Sequence, residues 1–338
     1  MTFGTTPSPR NVSSVDLGDA DLTSRINDGM QKVEKLLVDE LSVGSEFVAE
    51  KVLHLAKAGG KRFRPMMTLL ASEFGERPGS DNVVKAATVV EMVHLATLYH
   101  DDVMDEADMR RGVESANSRW GNSVAILAGD ILLSHTSRLM SQLDTDTVRH
   151  FSETFGKLVT GQMRETIGPE GSDPVEHYMK VIEEKTGVLI ASAGYLGSKH
   201  SGAPDEYVDA LYNIGGAIGI IFQIIDDVID IFSETKDSGK TPGTDLREGV
   251  FTLPVLYALE DDTEVGDELR GLLTGPLHDD ADVERALALL GQTDGKARSM
   301  EVVRHYMSIV EDEITRLPQI PATDALRMLA RYTIDRVG

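Results

Sequence analysis

The sequence predicts an all-α protein, a single large helical bundle with a central cavity. Three observations carry that expectation. Apolar residues recur at three- and four-residue intervals over most of the chain. Alternating strand-like runs are lacking, and no β-hairpin signal stands out. Two long apolar segments end in the same acidic pattern, Asp101-Asp102-x-x-Asp105 and Asp226-Asp227-x-x-Asp230. Motifs so far apart in sequence can meet only across a bundle.

Taken in order, residues 1–20 read as a flexible polar tail rich in Ser, Thr, Gly and Pro, and 21–338 as the helical domain. Ile26, Met30, Val33, Leu37 and Leu41 mark the first helix; Phe47, Val48, Val52, Leu55 and Ala56 mark the next. Gly59-Gly60-Lys61-Arg62 is a basic glycine turn. Phe63 to Phe74 is helical, with Pro65 tolerable in the first turn. Asn82 to Asp105 is a long helix, and Glu106 to Trp120 a loop. Ser123 to Leu143 and Thr147 to Glu165 follow as helices. Pro174 to Lys199 is helical with an interruption at Thr186-Gly187. Pro204 to Phe232 is the second long helix; its Gly215-Gly216-Ala217-Ile218-Gly219 run implies close helix contact, because Gly is otherwise unfavourable inside a helix. Ser233 to Gly249 reads as a loop, followed by three or four shorter helices.

Composition narrows the function. The 33 basic and 56 acidic residues give −23, which argues against a nucleic-acid partner and against recruitment to anionic membranes by charge. With no Cys, the chain has neither a thiol nucleophile nor a thiolate metal site. No run reaches the roughly 18 apolar residues of a membrane span, and no secretory h-region is evident. A cytoplasmic location is the expectation.

The acid triplets carry the chemistry. Asp101 and Asp105 are four residues apart and share one helix face. They sit at the C-terminal end of their helix, where the macrodipole is already negative. A hard divalent cation relieves that repulsion. Mg²⁺ suits it, because Mg²⁺ takes one or two carboxylates and completes its shell with water and substrate phosphates. Basic residues gather in the loops beside the triplets: Lys61, Arg62 and Arg64; Arg110 and Arg111; Lys236 and Lys240. Arg forks and Lys point charges there suit an anion with several charges. Some of these cations simply neutralise nearby acids, Arg62 above all. His94 lies two turns before Asp101 on the same face and can donate to a phosphate.

In these residues the chain resembles the trans-isoprenyl diphosphate synthases, the polyprenyl synthetase family. Gly59-Gly60-Lys61-Arg62-x-Arg64-Pro65, the first triplet with Arg110-Arg111-Gly112, Lys185-Thr186, Phe222-Gln223 with the second triplet, Gly239-Lys240 and Thr244-Asp245 follow the family's order. The resemblance implies head-to-tail condensation of isopentenyl diphosphate with an allylic diphosphate, and a homodimer. It implies several Mg²⁺ ions on Asp101, Asp105 and Asp226, with Asp102, Asp227, Asp230 and Asp245 in supporting places. It implies that Arg110, Lys185 and Lys240 face the departing diphosphate, that Lys61, Arg64, His94 and Arg111 hold isopentenyl diphosphate, and that Thr186 and Gln223 steady the allylic cation.

One departure stands out: Glu248-Gly249-Val250-Phe251-Thr252 has Val250 where the family usually has Lys, with Lys236 or Arg247 as candidate substitutes. Ala96 and Thr97, just before the first triplet, are small where short-chain members tend to carry an aromatic. The tail can then pass towards Val93, Val90 and Ala86, so a product longer than geranylgeranyl is expected; geranylgeranyl or farnesyl length is the alternative. A terpene cyclase is disfavoured by the intact second triplet. A non-catalytic subunit of a heteromeric synthase is disfavoured because all six aspartates are present.

Overall fold

The computed structural model describes residues 17–232 and 242–336. Among them regular structure is helical apart from two strands of two residues each, as the all-α expectation required. The helices are α1 (Ala20–Leu41), α2 (Glu46–Val52), α3 (His54–Lys57), α4 (Phe63–Ser72), α5 (Asp81–Met104), α6 (Ala116–Trp120), α7 (Asn122–Met140), α8 (Thr145–Ile167), α9 (Pro174–Ile182), α10 (Val188–Ser201), α11 (Asp205–Phe232), α12 (Thr244–Glu248), α13 (Leu253–Leu259), α14 (Glu264–Leu272), α15 (Asp280–Leu290), α16 (Gly295–Ile314) and α17 (Pro321–Asp335). Five helices follow Gly249 rather than three or four, and α16 is 20 residues long.

The chain divides into two compact units. The first holds the described residues up to Glu153, with Ser192–Tyr212 and Pro318–Ala325. Its axis is α5, which packs on α1, α4 and α7. From Val83 to Ala96, α5 buries side chains on all sides, as a helix apolar around its circumference must. Leu37, Leu41, Leu55, Met92, Leu95, Ala96, Leu132 and Leu139 form the adjoining core. Tyr99 ties that core to the next helices: its hydroxyl donates to the Lys51 carbonyl at 2.5 Å and accepts from Leu55 N at 3.2 Å.

Where a plain loop was expected after α5, the structure has a small hairpin, β1 (Met109–Arg110) and β2 (Val113–Glu114). Its turn residues, Arg111 at φ 53° and Gly112 at φ 75°, both lie at positive φ, as a primed two-residue turn requires. Glycine accepts that backbone readily; arginine seldom does, so the turn signal was weak in sequence.

The second unit holds Thr154–Ala191, Asn213–Leu317 and the described residues from Leu326. One core joins Ile231, Leu246, Val255, Leu269, Val283 and Leu290. The glycines of α11 do allow close approach: a Cβ on Gly215 would lie 2.4 Å from the Ile190 carbonyl oxygen, and one on Gly219 2.8 Å from Gly187 Cα. The interruption expected at Thr186-Gly187 is a single π turn, Glu183–Gly187, between α9 and α10.

Candidate active site

Three clusters hold the expected residues, two in the first unit and one in the second. At the end of α5, Asp101 is half-buried and Asp105 exposed, on one face. Asp102 points inward. It is fully buried and accepts from Arg110 Nε at 2.6 Å. Its other oxygen has no hydrogen-bond partner among the described residues. Burial pushes the Asp102 carboxyl above the ordinary range, although Arg110 pulls the other way. This inward position, holding Arg110, suits a supporting place rather than direct metal contact.

The second cluster is built on the glycine turn. Arg62, at φ 49°, is buried and bonds Glu34, the Ala56 carbonyl at 2.8 Å and Glu91 at 2.9 Å. It neutralises acids, as expected. Arg111 donates to the Gly59 carbonyl and, at 3.3 Å, to that of Leu55; it lies 3.8 Å from Glu91. The approach is close enough that a Cβ on Gly60 would stand 2.9 Å from Arg111 Cζ. Burial lowers the Arg64 pKa to about 10, although Glu91 opposes it, and Arg64 Nε is buried with no hydrogen-bond partner among the described residues. Burial likewise lowers Arg111. His94 on α5 is held far below its ordinary pKa, first by burial and then by Arg64 and Arg111. Lys61 is exposed on the same turn. Arg62 has its two acids; Arg64 and Arg111 share Glu91 with it. Such a surplus of desolvated positive charge suits a multiply charged anion.

The third cluster lies in the second unit, on α11. Asp227 is buried. Tyr178 Oη donates to one of its oxygens and Gln223 Nε2 to the other at 2.9 Å. Thr186 Oγ1 donates to Gln223 Oε1 at 3.1 Å, so a chain of hydrogen bonds runs from the π turn to the triplet. Burial pushes Asp227 up to about 7, even though both hydrogen bonds act to lower it. Asp230 accepts the backbone N–H groups of Thr244 at 3.3 Å and Asp245 at 3.2 Å, next to the start of α12. Asp226 pairs with Arg336 at 2.7 Å. Lys185 in the π turn pairs with Glu165 at 2.5 Å. Single π turns inside α-helices recur at functional sites. Lys240 and Lys236 lie outside the described residues. Arg247, offered as a substitute cation for Val250, is paired with Asp280 at 2.7 Å.

The donors of both triplets are carboxylate oxygens, the set a hard divalent cation prefers. Among the described residues no three acidic or imidazole side chains gather tightly enough to hold an ion alone. A cation at either triplet therefore draws further ligands from water or phosphate, which fits Mg²⁺. Among the partners that went unread in the sequence are Glu91, Glu165, Tyr178 and Arg336. Glu91 alone left a signal, as a lone acid inside the apolar run of α5.

The family model for polyprenyl synthetases matches residues 45–290. The chain is 51% identical to the nonaprenyl diphosphate synthase of Mycobacterium tuberculosis over 328 residues, 97% of this chain and 98% of that one. Among solved structures, the geranylgeranyl pyrophosphate synthase of Corynebacterium glutamicum, complexed with calcium and isoprenyl diphosphate, is 64% identical at a TM-score of 0.89, covering 96% of this chain and 100% of that one. A decaprenyl diphosphate synthase from Rhodobacter capsulatus is 31% identical at a TM-score of 0.85, covering 94% and 99%.

Proposed function

The chain belongs to the polyprenyl synthetase family and is a prenyltransferase, and from that premise we propose how its residues divide the work. The reaction joins isopentenyl diphosphate head to tail to an allylic diphosphate. The allylic carbon–oxygen bond breaks and its electron pair leaves with the diphosphate. The isopentenyl double bond attacks the resulting cation, and a proton is then lost to the released diphosphate.

One observation carries the assignment. Within the first unit, α5 presents His94, beside Arg64 and Arg111, and Asp101 on the same face two turns later. Seven residues along a helix span about 10 Å, room for two diphosphates side by side. Lys61, Arg64, His94 and Arg111 hold isopentenyl diphosphate. Asp101, Asp105 and Asp226 hold Mg²⁺, with Asp102, Asp227 and Asp230 behind them. Bound Mg²⁺ supplies positive charge to the leaving diphosphate. Arg110, Lys185 and Lys240 add theirs. Thr186 and Gln223 steady the allylic cation in this reading; Thr186 Oγ1 donates to Gln223 Oε1 and Gln223 Nε2 to Asp227, which fixes both side chains.

The product is longer than geranylgeranyl. Small Thr97 lies half-buried on the Asp101 face of α5, and the nonaprenyl and decaprenyl relatives support a long tail. The geranylgeranyl synthase at 64% identity favours the shorter alternative. Incubation with labelled isopentenyl diphosphate, Mg²⁺ and a set of allylic primers, resolved by chain length, decides. No elongation from any primer removes the assignment; a C20 end product installs the alternative. Thr97→Phe is expected to shorten the product. Ala96→Phe is expected to lower the stability by about 1–3 kcal/mol as well, since Ala96 is fully buried in the core.

A homodimer, a cytoplasmic location and Mg²⁺ as the working ion complete the proposal. Exposed Ile126 and Leu127 on α7, and Val159, Met163 and Ile167 on α8, are apolar surface of the kind a second copy covers. Among the described residues no helix is long and apolar enough to cross a membrane.

A further inference from the structure

Asp226 is the acid of the second triplet that the proposed reading gives to Mg²⁺, and the second unit already supplies it with a cation. Arg336, just past α17, puts its guanidinium 2.7 Å from Asp226 Oδ1. The same guanidinium lies over the Phe222 ring, 5.2 Å from its centre. Phe222 and Asp226 are one turn apart on one face of α11, so Arg336 covers that face. The pair is partly desolvated: the side chains are 22% and 33% exposed. Arg336 Nη1 is buried without a hydrogen-bond partner among the described residues. A guanidinium carries five N–H donors, so this grip on Asp226 is incomplete. Unsatisfied buried donors weaken an interaction that desolvation already taxes.

We propose that Arg336 is an exchangeable counter-ion for Asp226, competing with the divalent cation for that carboxylate and displaced when the cation binds. Its role is positioning and gating, exerted through Asp226. A carboxylate cannot serve the fork of Arg336 and a bound ion equally, so removing Arg336 exposes a stronger ligand. A salt bridge left intact, or a lysine in the same place, keeps the ligand masked. The inference rests on Asp226 being a metal ligand, and the test separates the two.

The probe is Mn²⁺ alone, titrated by calorimetry into the full-length protein, with no turnover. Arg336→Gln is expected to tighten Mn²⁺ binding about two- to fivefold, the fold-change that matches loss of a partly exposed ion pair. Arg336→Lys is expected to restore the weaker binding. Arg331→Gln removes an equal charge from exposed Arg331, which pairs with Glu311, and is expected to change nothing. Asp226→Asn is expected to weaken Mn²⁺ binding and to abolish the effect of Arg336→Gln in the double variant. If Asp226→Asn weakens binding while Arg336→Gln leaves it unchanged, the counter-ion role falls and Asp226 stands as a ligand. If Asp226→Asn leaves binding unchanged, the ligand assignment falls and the counter-ion role with it. Equal tightening by Arg331→Gln would reduce the effect to net charge and overturn it too.

Discussion

The two aspartate triplets share one spacing and solve the electrostatics differently. In the first, the inward acid Asp102 is matched by a full charge, Arg110. In the second, the inward acid Asp227 is matched by two neutral donors, Tyr178 and Gln223. Two hydrogen bonds from neutral groups leave a buried carboxylate above its ordinary pKa, at about 7. In the second triplet Asp226 is also held by Arg336 and Asp230 by two backbone N–H groups. An identical pattern therefore fixes which faces the acids take, not how each is compensated.

The largest expected effect tests the charged pair. Arg110→Gln leaves Asp102 buried with neither oxygen matched by charge. Removing one partner of a buried pair costs about 3–5 kcal/mol, the lower end applying because Arg110 is 30% exposed. Urea unfolding is the measurement, and a change below about 1 kcal/mol would mean water reaches Asp102.

Next comes catalysis. Asp101→Asn and Asp226→Asn are each expected to lower kcat by at least about 100-fold, as loss of a preorganised charge-stabilising group does. Similar losses make both triplets necessary for turnover. A tolerant Asp226→Asn would break the symmetry and leave the first triplet working alone.

The third effect is a pH dependence peculiar to the second triplet. Asp227 binds its proton more tightly folded than unfolded. Its contribution to stability is fully present below pH 4 and lost as pH rises through about 7. Asp227→Asn is expected to flatten that decline and to stabilise the protein at pH 8 by at most about 4 kcal/mol, at 1.36 kcal/mol per unit. Tyr178→Phe removes one donor and is expected to cost about 1–3 kcal/mol at pH 8. Denaturation at pH 5 and pH 8 reads both.

What the sequence made legible follows from the range of each signal. Helical period and the acid triplets are local, so the helices, α5 and α11 above all, fall close to where they are expected. Gly215 and Gly219 announced close packing because Gly has few other reasons to sit inside a helix. The compensating partners were not legible. Tyr178 lies 49 residues from Asp227 in sequence, and an isolated Tyr or Arg carries no period. The Arg111-Gly112 turn was hidden because its first residue is one that rarely takes positive φ. Arg62 was readable, since a basic residue inside an acidic chain most often meets an acid.

The smallest expected effect concerns Val250, on the second triplet's side. Val250 is 40% exposed, and its N–H donates to the Asp245 carbonyl at 2.9 Å, a bond any residue but proline can make. A lysine side chain therefore fits without repacking. Arg247, the candidate substitute, is paired with Asp280, an exposed acid. Val250→Lys is expected to lower the KM for the allylic diphosphate up to about tenfold, equal to about 1.4 kcal/mol, and to leave the KM for isopentenyl diphosphate unchanged. That split is the informative part. A general gain in positive charge would lower both constants, whereas a cation placed beside the second triplet acts on the allylic substrate alone. If neither constant moves, the allylic diphosphate already has its full complement of charge, and Lys240, Lys185 and Arg110 suffice where the family usually adds one more.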